Sequence, residues 1–154
     1  MIMKNKGFTL VELLVTLVTL GVLMAWAVPN FNDIIRNNRV TTKTNEFITA
    51  LSLAKSEAIR RGVQIDVNAS GGDWNNGWNV KVNGGAVLRQ FDAPTGSSIT
   101  IGGDTGILSF SATGLPTDID TTAIHNFTVC DSGDFGRQIR IATGRPSIAS
   151  KTPC

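Results

Sequence analysis

The chain has 154 residues, a formal net charge of +2 and a hydrophobic fraction of 42%. This length accommodates one compact domain besides an anchor segment. The small net charge excludes a polycation whose total charge alone would indicate nucleic-acid binding. The single histidine excludes multi-histidine metal sites.

The first predicted element is an apolar helix. Residues 8–28 form a run of 21 residues whose one charged side chain is Glu12, and the run follows a short leader that carries Lys4 and Lys6. A helix of this length rises about 31 Å, enough to cross the hydrocarbon core of a bilayer. A carboxylate in such a segment costs roughly 2–3 kcal/mol near the membrane centre and less near the segment's end. Glu12 is therefore a candidate functional residue.

Three interpretations of this segment compete. A secretory signal would use Ala25-Trp26-Ala27 as its cleavage site, but its apolar region would exceed the usual length of about 7–15 residues and would contain a carboxylate. A plain transmembrane anchor explains the length and leaves Glu12 without a role. A segment that is cut after Gly7 and then packs against related segments explains both features.

A polar stripe favours the third interpretation. The polar side chains follow steps of three, four and three residues, so they share one helix face: Thr9, Glu12, Thr16 and Thr19. Gly21 and Ala25 are small enough to let a neighbouring helix approach closely. The alternative is that the threonine hydroxyls bond backbone carbonyls of their own helix.

The residues from Gly7 to Leu13 resemble the class III signal of type IV prepilins, which has a short basic leader, Gly at the cut, Phe next and Glu four residues later. The resemblance implies that residues 1–7 are a leader and that prepilin peptidase cleaves between Gly7 and Phe8. It implies that the new amine of Phe8 is methylated and that Glu12 meets such an amine on a neighbouring subunit. It also implies a single-pass protein of the bacterial inner membrane with a periplasmic head, which later enters a filament.

The helical pattern resumes beyond Pro29, with apolar residues at steps of three and four. Gly62 is the predicted C-cap and follows two arginines suited to the negative end of the helix dipole. We predict one long helix from about Thr9 to Arg61, in two parts. Its second half, residues 29–62, is amphipathic and is expected to cover a sheet.

The remaining residues, 63–154, alternate apolar and polar side chains in short runs separated by turn residues, which predicts an antiparallel β-rich head. Asn83-Gly84 between two such runs is a strong hairpin signal. The predicted strands are 63–67, 78–82, 86–91, 98–101, 107–111, 124–130 and 137–143. The fold class is therefore α+β, with a long N-terminal helix packed on an antiparallel head.

The two cysteines are Cys130 and Cys154. An extracytoplasmic domain lies in an oxidising compartment, which favours one disulfide between them. The bond would close a loop of roughly 25 residues and contribute about 3 kcal/mol. Two free thiols are the alternative.

The sequence contains no catalytic constellation, and we expect neither an enzyme nor a bound metal or cofactor. His125 lies in a predicted strand and is interpreted as structural. The stretch from Asp73 to Gly77 has a faint likeness to a calcium loop but has Gly84 where the twelfth-position glutamate belongs, which favours a turn. Trp74 and Trp78 either close a small core or stack on a ligand, and we favour the core.

Three stretches resemble the GspH/FimT group of minor pilins and pseudopilins: Ala54 to Gly62, Trp74 to Trp78, and Ile107 to Phe110 with Thr113-Gly114. The resemblance implies a pilin-like fold and a minor pilin that primes or caps a type IV pilus together with other major and minor pilins. It equally allows a pseudopilin of a type II secretion system.

Some FimT-like minor pilins are receptors for incoming DNA during natural transformation, through a Gly-Arg-x-Arg element. The matching residues here are Gly144-Arg145-Pro146-Ser147, so Ser147 replaces the second arginine. With Arg137, Arg140 and Lys151, Arg145 would neutralise about four phosphates, which predicts a weak, salt-sensitive contact to DNA. The alternative is a solvated strand edge and tail.

Overall fold

The computed structural model describes residues 7–94, 100–103, 106–117, 125–131, 136–142, 145–152 and 154. The chain divides into two compact units, Met1–Ile35 and Arg36–Cys154. We call the first the N-terminal unit and the second the head unit. The predicted division between an anchor at residues 8–28 and a half-helix at 29–62 stays a prediction.

The first element, α1, is one helix of 52 residues, Leu10–Arg61. These bounds confirm the long helix that the sequence predicts, and the helical backbone continues through Pro29. Gly62 ends the helix at a φ of 65°, and its amide donates to the carbonyl oxygen of Ala58 over 2.9 Å. Glycine suits this position because it enters the left-handed region without a Cβ clash.

The predicted transmembrane use of residues 8–28 is not confirmed. In the part of the chain that the structure describes, no helix combines the length and the apolarity needed to cross a membrane.

The described residues of the head unit form eight strands after the helix: β1 (Ile65–Ala69), β2 (Trp78–Val82), β3 (Val87–Phe91), β4 (Thr100–Gly103), β5 (Ile107–Phe110), β6 (His125–Cys130), β7 (Gly136–Ala142) and β8 (Arg145–Thr152). They build two four-stranded sheets with the orders β3-β2-β1-β5 and β4-β6-β7-β8. All neighbouring strands are antiparallel. The predicted α+β class and antiparallel head are confirmed.

Three strands differ from the prediction. β4 ends at Gly103 instead of residue 101, because Gly102 and Gly103 pair with residues of β6. β1 begins at Ile65 instead of Val63, because the chain first turns at Gly62 and pairing starts where Ile65 lies opposite Val82. β8 was not predicted: Pro146 argues against a strand interior, but β8 is the outermost strand of its sheet, where a missing amide donor is tolerated. The predicted strand residues 98, 99, 124 and 143 lie outside the described residues.

The second half of α1 packs on the strands through one stripe of buried side chains: Val40, Thr44, Phe47, Leu51, Ala54 and Ala58. The Phe47 ring lies 5.4 Å from that of Trp78 in β2 and 4.9 Å from that of Phe127 in β6, measured between centroids. Because β2 and β6 belong to different sheets, Phe47 joins both sheets in one core. This confirms that the amphipathic half of the helix covers the head.

Candidate functional site

The predicted cleavage site lies before the helix begins. Gly7, Phe8 and Thr9 are non-helical, and Phe8 is 79% exposed. A peptide bond in exposed, non-helical backbone is accessible to a protease, since exposed segments are the preferred sites of cleavage. The local geometry is thus compatible with a cut between Gly7 and Phe8.

Glu12 lies in the first turn of α1, and its carboxylate contacts the residue that precedes the helix. Glu12 Oε2 accepts hydrogen bonds from the Thr9 amide at 3.4 Å and from Thr9 Oγ1 at 3.2 Å. The Glu12 amide donates to Thr9 Oγ1 at 3.3 Å. These reciprocal bonds form a capping box, which satisfies two amides that the helix start would otherwise leave unpaired.

We did not predict this cap, although the spacing Thr-x-x-Glu before an apolar run is its known signal. The cap gives Glu12 a role within its own chain and places its charge at the positive end of the helix dipole. Glu12 Oε1 accepts no hydrogen bond from a described residue. One carboxylate oxygen therefore stays available to a group outside the chain.

The threonine stripe is satisfied by the helix that carries it. The hydroxyl of Thr16 donates to the Leu13 carbonyl oxygen at 2.8 Å. The hydroxyl of Thr19 lies 2.9 Å from the carbonyl oxygens of both Val15 and Thr16. The structure therefore supports the alternative that we left open, in which these hydroxyls bond their own backbone.

The apolar side chains of the N-terminal unit are exposed. Between residues 8 and 24 the exposed fractions of the large apolar side chains range from 50% at Leu20 to 80% at Leu10. A Cβ added at Gly21 would have no atom of the chain within 4 Å. A continuous exposed apolar surface of this kind marks a site of interaction with another molecule.

The four basic residues near the C-terminus do not share one face. Arg140 lies opposite Ser147, and Arg145 lies opposite Ala142, so the two arginines occupy the same face of the β7–β8 pair. Ile139 and Ile141, which alternate with Arg140, are buried, and this face is therefore the outer one.

Arg137 belongs to the opposite face of β7. It lies opposite Val129, which is fully buried, and Arg137 is half-buried with no hydrogen-bond partner for its Nε among the described residues. Lys151 lies opposite Arg137 in register. The structure therefore brings together Arg140 and Arg145 of the predicted set and separates them from Arg137, whereas the side chain of Lys151 lies outside what the structure describes.

The remaining candidates are parts of the head's core or its turns. Trp74 and Trp78 are buried, and their ring centroids lie 5.1 and 5.4 Å from that of Phe47. Asp73 accepts a hydrogen bond from the Asn75 amide at 2.9 Å, so it caps the short 3-10 helix that follows. His125 is buried in β6. The core interpretation of the two tryptophans is confirmed.

Cys130 and Cys154 form the predicted disulfide, with a Cα–Cα distance of 5.9 Å. It links the end of β6 to the last residue of the chain. Neither cysteine is free, which removes the alternative of two thiols.

Comparison with known proteins gives two family matches. Residues 43–145 match the family described as "Type II transport protein GspH". Residues 2–28 match the "Prokaryotic N-terminal methylation motif". The first match covers most of the head unit, and the second contains Gly7, Phe8 and Glu12.

Curated relatives come from two bacteria. A "Fimbrial protein" of Pseudomonas aeruginosa is 37% identical over 66 residues, which are 43% of this chain and 42% of that protein. The chain thus spans about two fifths of the length of that relative. The "Type IV narrow pilus major component PilA5" of Thermus thermophilus is 30% identical over 115 residues, which are 71% of this chain and 98% of that protein.

Among solved structures, the type IV minor pilin FimU of Pseudomonas aeruginosa is similar to this chain, with a TM-score of 0.62 and 23% identity over 73% of this chain and 90% of FimU. At this identity the likeness shows the fold, and it confirms the predicted pilin fold. The family matches identify the protein class. The chain belongs to the GspH/FimT family of type IV minor pilins and pseudopilins, which are structural proteins of filaments.

Proposed function

We propose that this chain is a minor pilin that primes or caps a type IV pilus after cleavage between Gly7 and Phe8 by prepilin peptidase. The observation that carries the proposal is the exposed apolar surface of residues 8–24, which contains one carboxylate. Its own chain does not bury this surface. Packing against the equivalent segments of other pilins in a filament would bury it.

Before assembly, residues 8–28 hold the chain in the bacterial inner membrane, with the head unit in the periplasm. The match of residues 2–28 to the methylation motif and the exposed apolar side chains of residues 8–24 support this stage. The disulfide fits an oxidising compartment on the periplasmic side. Cleavage then removes the leader and exposes the amine of Phe8, which becomes methylated.

Within the filament, Glu12 pairs with the N-terminal amine of a neighbouring subunit. The unoccupied Oε1 supports this role, because the capping box uses Oε2 alone. A carboxylate in an apolar surrounding is stabilised strongly by a cationic partner, and its burial without one costs free energy. The pairing would therefore fix how far one helix is shifted along the next.

Incorporation into sheared pili tests the role of Glu12. We expect Glu12→Gln to leave the head folded and to abolish incorporation, whereas Glu57→Gln, which alters a carboxylate already paired within the same helix, incorporates normally. Thr9→Val is the control for the cap, since it removes the hydroxyl that donates to Glu12 Oε2 and accepts from the Glu12 amide, and it keeps the charge. Equal loss in Thr9→Val and Glu12→Gln would show that Glu12 acts as a cap and would contradict the amine pairing.

Mass spectrometry of the mature N-terminus tests the processing step. The proposal requires a chain that begins with a methylated Phe8. A mature chain that begins near Val28 would support the secretory-signal interpretation and remove the filament proposal entirely.

A pseudopilin of a type II secretion system is the second candidate function, and the match to the family described as a type II transport protein favours it. Deletion of the gene separates the two functions. Loss of surface pili supports a role in the pilus, whereas loss of protein secretion with intact pili supports a role in the pseudopilus.

A third candidate is DNA binding by the outer face of β7 and β8, which the shared face of Arg140 and Arg145 favours. Two guanidinium groups would give a weak, salt-sensitive contact to phosphates. A gel shift of the full chain in detergent at low salt tests this, with Arg140→Gln/Arg145→Gln against the control Arg60→Gln/Arg61→Gln. The absence of any shift at low salt removes this function.

A further inference from the structure

Two exposed cations, Arg36 and Arg39, lie on the part of α1 where the head unit begins. They are three residues apart, so their side chains are neighbours on the helix surface. Neither forms an ion pair with a described residue. We call these two residues the basic pair.

Other cations of α1 are neutralised within the helix. Lys43 Nζ lies 2.7 Å from a carboxylate oxygen of Glu46. Arg60 and Arg61 lie 2.7 and 2.5 Å from the same oxygen of Glu57. Neither residue of the basic pair has such a partner: Asp33, three residues before Arg36, forms no ion pair with a described residue, and no Asp or Glu occurs between residues 34 and 45.

The basic pair follows the apolar run closely along the chain. Arg36 comes eight residues after Val28, so no more than about 12 Å of helical rise separates them. The residues between include the exposed apolar side chains of Phe31, Ile34 and Ile35, and also Asn30, Asn32 and Asp33. The headgroup layer of a bilayer is about 5–8 Å thick on each side, and the long stem of an arginine lets its guanidinium reach this layer from nearby.

We propose that the basic pair binds the phosphate groups of anionic phospholipids while the chain waits in the membrane before assembly. This inference rests on the membrane stage of the proposed function. Guanidinium groups match phosphate geometry with two parallel hydrogen bonds. Each basic side chain near an anionic membrane surface gives about a fivefold preference, so two give up to about thirtyfold before screening by salt.

The test uses the full chain in vesicles of phosphatidylcholine and phosphatidylglycerol. In one series the phosphatidylglycerol carries brominated acyl chains that quench tryptophan fluorescence, and in the other the phosphatidylcholine carries them. Trp26 lies in the apolar run, and Trp74 and Trp78 are buried in the head, so Trp26 is the reporter. The ratio of the two quenching efficiencies measures which lipid surrounds the chain.

We expect phosphatidylglycerol to be enriched severalfold around the wild-type chain and the enrichment to fall as sodium chloride is raised. Arg36→Gln/Arg39→Gln should abolish the enrichment. The matched control Arg60→Gln/Arg61→Gln, which alters two arginines paired with Glu57, should retain it. Unchanged emission of the buried Trp74 and Trp78 in every variant verifies that the head unit is folded.

Three results overturn the inference. Equal quenching by the two lipids in the wild type, or enrichment that survives in Arg36→Gln/Arg39→Gln, removes the lipid contact and leaves the membrane stage intact. No quenching by either lipid shows that the chain does not enter the membrane, which removes the membrane stage together with this inference.

Discussion

The N-terminal unit exposes its large apolar side chains, whereas the head unit buries side chains of the same kinds. Phe8 is 79% exposed and Leu17 is 61% exposed, but Phe47 and Leu51 are fully buried. Both pairs belong to the same helix, α1, or its immediate start. Position along the helix, and not residue type, therefore decides whether an apolar side chain is covered by its own chain.

The contrast indicates that the residues that stabilise the fold lie in the head unit and that the residues available for assembly lie in the N-terminal unit. The burial of apolar surface in the head unit drives its folding. The N-terminal unit gains no comparable burial from its own residues, so its apolar surface is available to other molecules. Substitutions in the head unit should accordingly change the free energy of unfolding, and substitutions in the N-terminal unit should change incorporation into pili.

The largest expected effect is in the aromatic core. Phe47→Ala removes the ring that contacts Trp74, Trp78 and Phe127, and we expect the free energy of unfolding to fall by about 3–5 kcal/mol. Leu17→Ala is the matched change in the N-terminal unit and should leave that free energy unchanged. Urea denaturation of the full chain in detergent, followed by tryptophan fluorescence, measures both. Equal losses in the two variants would contradict the contrast between the units.

The next largest effect concerns the disulfide, which fastens the end of the head unit. Replacing both Cys130 and Cys154 by Ser removes a link across 24 residues of sequence and should cost about 3 kcal/mol. Reduction of the wild type should give the same shift in the urea midpoint as the double substitution. If the C-terminal residues from Arg145 onward resist proteolysis equally well without the disulfide, the pairing of β7 with β8 is sufficient to hold them.

Two glycines allow a finer comparison. Gly114 has a φ of 76°, and an added Cβ would lie 2.6 Å from Ile59 Cδ1, so Gly114→Ala should destabilise the head by about 1–2 kcal/mol. Gly21→Ala meets no atom of its own chain within 4 Å and improves helix propensity by up to about 1 kcal/mol. If Gly21→Ala nevertheless lowers incorporation into pili, a neighbouring helix approaches closely at that position.

The smallest expected effect is a pH dependence at the end of α1. Hydrogen bonds from Arg60, and then from Arg61, lower the pKa of the Glu57 carboxyl below its ordinary value of 4.5. A carboxylate whose pKa is lower in the folded state stabilises the fold above the unfolded pKa, and this contribution disappears as the pH falls through the folded pKa. The thermal midpoints of wild type and Glu57→Gln should therefore differ at neutral pH and converge in acid. A difference that persists at the lowest pH at which the head unit stays folded would assign it to packing.

Several features could be predicted because they depend on residues close together in sequence. The bounds of α1 follow from apolar periodicity and from Gly62, whose lack of a Cβ suits the left-handed cap. The hairpin at Asn83-Gly84 follows from its turn residues, and Gly84 has a φ of 65°. The capping box of Thr9 and Glu12 was equally predictable from its spacing and was overlooked.

The sequence by itself determined the long helix, the hairpin and the cysteine pair, because helix periodicity, turn chemistry and a chain with two cysteines leave few alternatives. Only the tertiary structure decided the strand orders, the presence of β8 and the separation of Arg140 and Arg145 from Arg137. The physical reason is that strand pairing joins residues distant in sequence. A shift of one residue in register moves every side chain to the other face of a sheet.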